Sequence, residues 1–99
     1  MPTEQIRREL QDIRYYYSHK AMFDRASDCV AKSTAVGLAE KYNAAIGSAP
    51  PRLYALYLSL YIGNDTRASL AEKRGCSEGY IRNLNRQLYA FFQSAFEKT

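Results

Sequence analysis

Apolar residues recur along this chain at spacings of three and four and nowhere alternate, so the pattern is helical throughout. Ile6, Leu10, Ile13 and Tyr17 form the first stripe. It predicts a helix over 3–26, with Thr3 as N-cap and Glu4 in the first turn. Beyond Tyr17 the regularity lapses. Lys20 and Asp24 take the next heptad positions, and Phe23, Ala26 and Val30 carry the apolar surface onward. Under two heptads is too little for a free-standing coiled coil, so this helix is expected to pack on its neighbours or on a second copy. Residues 29–46 continue the pattern through Ala31, Ala35, Leu38, Tyr42 and Ala45, with Ile46 alongside. Ser33, Thr34 and Gly37 weaken the middle, and a break or bend is expected somewhere in 26–34. Gly47 ends the segment, and Ser48-Ala49-Pro50-Pro51 reads as a linker.

The strongest periodicity lies in 51–62, where Leu53, Leu56, Tyr57, Leu60 and Tyr61 follow i, i+3, i+4, i+7, i+8. Pro51 suits the first turn of a helix. Tyr54 and Leu58 add apolar surface on another side, which predicts a central helix buried on both. Gly63-Asn64 stops it. Asp65 or Thr66 caps a short helix over 67–74, and Ser77 starts a final helix running to about Phe96, its inner face extended by Leu84, Leu88, Phe91 and Phe92. The predicted fold is all-α with about five helices. An N-terminal long helix or helical hairpin in 1–48 precedes a three-helix unit in 49–99, the whole forming one domain.

Within that unit, residues 67–84 have the types and spacing of a helix-turn-helix. Ala71 is small where two helices cross. Gly75 can take positive φ at a sharp turn. Ser77 can cap the second helix, and Leu70, Cys76, Ile81 and Leu84 can pack the two together. Arg74 stands where an apolar residue is more usual, and its stem can pack while its charge reaches out. Ser77, Glu78, Gly79, Arg82, Asn83 and Arg86 are then left on the outer, N-terminal part of the second helix, the surface that such units place in the DNA major groove. Arg82 and Arg86 lie one turn apart; each guanidinium can pair bidentately with guanine or grip a phosphate. Asn83 can read adenine, and Glu78 can accept from cytosine or simply favour the helix dipole. Gly79 permits close approach at a cost in helix stability. The plainer alternative is a helical corner with Gly75 serving only as a C-cap.

The stretch Leu56-Tyr57-Leu58-Ser59-Leu60-Tyr61-Ile62-Gly63, with Thr66, Leu70-Ala71, Gly75-Cys76-Ser77, Tyr80-Ile81 and Leu84, resembles region 4 of sigma-70-type sigma factors. The likeness covers about residues 50–96. The layout is also similar to that of small phage- and prophage-encoded sigma-like transcription regulators. The resemblance implies a promoter-binding unit that also contacts RNA polymerase, with Arg67, Lys73 and Arg74 near phosphates. Nothing in the chain resembles the sigma segments that melt DNA, so a complete sigma factor is not expected.

Composition narrows this reading without overturning it. Ninety-nine residues and 46% hydrophobic content allow a modest core. The net charge of +4 is spread along the chain, so electrostatics alone predicts weak, salt-sensitive DNA binding. Tight binding then calls for a homodimer, through the N-terminal helices, or a protein partner. No run is long and apolar enough for a membrane span and no secretory signal leads the chain, so a soluble, cytoplasmic protein is expected. Cys29 and Cys76 read as reduced thiols, and His19, the only histidine, as a surface helix residue. Neither a metal site nor a cofactor motif nor a catalytic constellation is expected, hence no enzyme. Tyr15, Tyr16 and Tyr17 cannot all face one core, because successive helical residues lie about 100° apart. The nine tyrosines and four phenylalanines support the rival reading, a protein-interaction module of helix-turn-helix shape that does not bind DNA.

Overall fold

Helical periodicity becomes six α-helices in a computed structural model, which describes residues 2–25 and 29–97, and their side chains except those of 29–32. They are α1 (Thr3–Ser18), α2 (Lys20–Arg25), α3 (Cys29–Ile46), α4 (Pro51–Tyr57), α5 (Arg67–Arg74) and α6 (Glu78–Glu97). A π-helical turn, Leu58–Ile62, continues α4. No strand occurs among the described residues, and the all-α expectation holds.

The chain starts its first helix one residue earlier than Thr3 would have set it. The Pro2 carbonyl already accepts from the Gln5 and Ile6 amides, at 3.1 and 3.2 Å, so Thr3 lies inside α1 and caps nothing. Its hydroxyl instead meets Gln93 Oε1 of α6 at 3.4 Å. The continuous helix expected over 3–26 is broken at His19. There the Ser18 hydroxyl donates to the Tyr15 carbonyl at 3.0 Å, and His19 Nδ1 lies 3.0 Å from the same oxygen. The same carbonyl keeps its backbone bond from the His19 amide at 3.0 Å, so two side chains crowd onto an acceptor at the helix end. His19 is exposed as expected, but it sits at a helix break, stacked on Tyr15. Tyr16, rather than Tyr17, takes the buried place after Ile13; Tyr17 is half-buried and Tyr15 exposed. Of the break expected in 26–34, residues 26–28 lie outside the described residues, and α3 runs without interruption through Ser33, Thr34 and Gly37.

One contiguous core joins Ile6, Leu10 and Ile13 of α1 to Tyr42 and Ile46 of α3, then to α4, the π turn, α5 and α6. The apolar stripe of α1 is therefore consumed within the chain. A second copy docking on the N-terminal helices would have to use what stays exposed there, chiefly Tyr15 and Met22. The 51–62 segment is central in one sense only. Leu53, Leu56, Tyr57, Leu60 and Tyr61 are buried, yet Tyr54 and Leu58 remain 41% and 38% exposed. The other helices meet this segment on one face, and the second apolar side faces outward.

Its end also differs from a simple glycine stop. Gly63 has ordinary negative φ, and Asn64 takes the left-handed conformation at φ 59°. Glycine at 63 avoids a tight contact: a Cβ there would lie 3.2 Å from the carbonyl oxygens of both Leu58 and Ser59. The Gly63 amide bonds Leu58 at 2.7 Å and the Asp65 amide bonds Ser59 at 2.9 Å, and these wide rings close the helix.

Tyrosine supplies much of the core because it buries a ring and hands its hydroxyl to a partner. Tyr42 donates to Glu9 Oε1 at 2.6 Å, Tyr57 to Asn43 Oδ1 at 2.7 Å, and Tyr61 to Asn85 Oδ1 at 2.7 Å. Burial is the main force raising all three hydroxyls well above their ordinary pKa of 10.0, with the Glu9 hydrogen bond and charge adding to it at Tyr42. Below pH 10 these groups keep their protons in both the folded and unfolded chain, so stability is flat with respect to them. Above pH 10 the unfolded chain loses protons that the folded chain retains, and stability falls as pH rises. Each tyrosine adds a slope of up to about 1.4 kcal/mol per pH unit. Urea unfolding at pH 9 and pH 11 should show a steep loss at the higher value; equal midpoints would contradict the burial of these hydroxyls.

Candidate nucleic-acid interface

The α5–α6 corner is built by local rules that the sequence announces. Thr66 caps α5, its hydroxyl accepting from the Ser69 amide at 3.0 Å, which decides between Asp65 and Thr66. Gly75 ends α5 in the left-handed region at φ 65°. The Gly75 amide returns to the Glu72 carbonyl at 3.2 Å and the Cys76 amide to Ala71 at 2.9 Å, the paired bonds of a Schellman closure. Cys76, a half-buried free thiol, then packs on the core. Ser77 caps α6, accepting from the Tyr80 amide at 3.1 Å. Leu70 and Ala71 on α5 and Ile81 and Leu84 on α6 are buried, so the relative placement of the two helices is set by their own side chains.

All six residues expected to read bases are exposed. Gly79, Arg82, Asn83 and Arg86 share one outward arc of α6, as their spacing requires. Among the described residues no side-chain partner engages Arg82, Asn83 or Arg86, so their polar groups point to solvent ready to bond. Ser77 stands apart, its oxygen already engaged in the cap. Glu78 occupies the first turn, where its charge suits the helix dipole.

Gly79 answers no demand of the fold. A Cβ there would meet only Ser77 Oγ, at an ordinary 3.8 Å. Replacing it with alanine should therefore stabilise α6 by up to roughly 0.5–1 kcal/mol, seen as a raised melting temperature. If the open position serves close approach to DNA, the same variant binds duplex more weakly. Unchanged affinity in G79A would leave the glycine with no role at the interface.

The three cations assigned to phosphates do not form one cluster. Lys73 Nζ lies 3.0 Å from Asp65 Oδ1, an ion pair along α5's own flank. Such an exposed pair is weak and can open to a phosphate. Arg74 is exposed beside the turn. Arg67, at the opposite end of α5, instead lines a cleft of about 340 Å³ together with Arg7, Gln11 and Arg14 of α1 and Asn85 and Tyr89 of α6. Sequence reasoning did not single out these α1 and α6 residues. The i, i+4, i+7 spacing of Arg7, Gln11 and Arg14 puts them on one face of α1 and was the available signal. Their meeting with Arg67 was not readable, because it depends on how α1 packs against the π turn and α6.

Among the described residues no group of His, Cys, Asp and Glu is arranged to hold a metal ion, and no helix is long and apolar enough to cross a membrane. No family model, curated protein or solved structure matches this chain.

Proposed function

We propose that this protein is a DNA-binding transcription regulator that reads duplex DNA with the N-terminal half of α6. The observation supporting it is the division of α6: Ile81 and Leu84 anchor the helix on α5, while Gly79, Arg82, Asn83 and Arg86 face solvent with no protein partner among the described residues. Two guanidiniums and a carboxamide on one exposed arc are the donors that base edges and phosphates accept from. The resemblance to sigma region 4 adds RNA polymerase as the partner that would hold a weakly binding reader at a promoter.

Selection from a randomised duplex pool at low and near-physiological salt tests this. Enrichment of a defined motif supports the reading. A palindromic motif means a dimer on two half-sites, and a single half-site means tethering to polymerase. Failure to bind even at low salt overturns it.

A protein-interaction role is the second reading, favoured by the exposure of Tyr15, Met22, Tyr54, Leu58 and Tyr80. The abundance of tyrosine argues for it less than the number alone suggests. Tyr16, Tyr42, Tyr57 and Tyr61 are core residues and Tyr17 and Tyr89 are half-buried, which leaves three of the nine exposed. Salt separates the readings: cation–phosphate binding falls steeply with ionic strength, whereas an aromatic interface is nearly indifferent to it.

A further inference from the structure

The geometry points to a phosphate-binding site in the cleft between α1, the π turn, the start of α5 and α6. Three arginines from two distant parts of the chain, Arg7, Arg14 and Arg67, line one cleft. No carboxylate lines it with them among the described residues. Like charges gathered in this way repel, and a bound oxyanion reverses the sign of that interaction. The cleft's 340 Å³ falls within the roughly 300–1,000 Å³ of small-ligand sites.

The site is organised as well as charged. Arg14 is held by Asn64, with Nε 3.3 Å from the side-chain oxygen and Nη2 3.4 Å from the backbone carbonyl. The Asn64 side chain is itself tied back, its Nδ2 donating to the Ile62 carbonyl at 3.4 Å. That leaves the remaining guanidinium donors of Arg14 for a ligand. On the opposite wall Tyr61 donates to Asn85, and Asn85 Nδ2 donates to the Tyr89 hydroxyl at 3.0 Å. The Tyr89 hydroxyl also shares a hydrogen bond with Tyr61, so this wall is a closed polar network. Among the described residues Arg7 has one acidic neighbour, Glu4 at 3.5 Å, but both side chains are more than half exposed and the pairing is readily exchanged. Among the described residues Arg67 has no acidic partner. Guanidinium forks and the Gln11 carboxamide in this lining are donors that phosphate oxygens accept from. The ligand chemistry is thus a phosphate group, carried either by a free phosphate ester or by a nucleic-acid backbone.

This inference does not rest on α6 reading bases, and the two fail separately. Titration of the whole chain with pyrophosphate at low ionic strength, followed by NMR of the arginine Nε–H signals, provides the test. Saturable shifts at Arg14 and Arg67 are expected. R7Q/R67Q should bind at least tenfold more weakly while keeping its far-UV circular dichroism, since both residues are exposed. R82A/R86A should bind within twofold of the parent. A short duplex that moves the same cleft signals, and that R7Q/R67Q binds more weakly, identifies the backbone as the source. A cleft that answers pyrophosphate and ignores the duplex identifies a free phosphate ester. The site is overturned if neither probe shifts Arg14 or Arg67 at millimolar concentration, or if R82A/R86A loses pyrophosphate as fully as R7Q/R67Q.

Discussion

Replacing Arg82 and Arg86 together with alanine is expected to abolish sequence-specific DNA binding while leaving the fold intact. Both side chains are exposed on the outer arc of α6 and make no hydrogen bond or ion pair among the described residues, so their removal should change stability by less than about 0.5 kcal/mol. Each base interaction of this kind is worth roughly 1–3 kcal/mol. The double variant should therefore bind its selected motif at least about thirtyfold more weakly. The form of the weakening separates two roles. If the arginines read guanine, discrimination between motif and random duplex collapses. If they grip phosphates, binding falls equally on all sequences and the slope of log K against log salt shrinks by about 0.9 for each phosphate no longer neutralised. Fluorescence anisotropy on motif and scrambled duplexes at three salt concentrations gives both quantities. Parent-like affinity in the double variant would remove α6 from the interface.

The second large effect concerns the other half of the same helix. Phe92 is fully buried, with its ring centroid 4.7 Å from Tyr42 of α3 and 5.8 Å from Tyr57 of α4. Phe96 stacks on it at 5.7 Å. This cluster fastens the C-terminal half of α6 to the helices behind it, while Ile81 and Leu84 hold the N-terminal half on α5. Phe92→Ala should cost about 3–5 kcal/mol. Against a total stability of about 5–15 kcal/mol for a domain, that cost brings the chain close to unfolding at growth temperature. Phe91, next along the helix and half-buried, should lose much less on the same substitution. Urea midpoints read by circular dichroism would rank the two. An F91A shift as large as that of F92A would contradict the aromatic cluster as the anchor of α6. At temperatures where F92A remains folded, its DNA affinity should stay near that of the parent, because the reading arc is untouched.

These two expectations divide α6 along a line that is legible in its periodicity. Ile81, Leu84, Leu88 and Phe92 repeat at three and four, and the exposed arc is what that repeat leaves over. The corner was equally legible. A glycine able to take positive φ, followed by a serine with free main-chain donors ahead of it, is a short-range instruction, and both residues obey it at φ 65° and at 3.1 Å. The break at His19 was less so, because Ser18 and His19 are ordinary helix-surface residues until their side chains turn back to the Tyr15 carbonyl. The π turn left no mark either: over a single turn, Leu58–Ile62 satisfies an α-helical apolar pattern equally well.

By itself, then, the sequence determined what depends on residues within a turn or two of each other: helix spacing, an α5 cap at Asp65 or Thr66, the Ser77 cap, the Gly75 corner and the outward arc of α6. Those features rest on local hydrogen bonds and on a period of 3.6 residues, and both can be counted along the chain. The tertiary structure decided what depends on distant segments meeting. It left Tyr54 and Leu58 uncovered, folded the α1 stripe inward, and carried Arg67 across to Arg7 and Arg14. Periodicity tells which face of a helix is buried, but not which neighbour buries it, and a cleft is made by the neighbour.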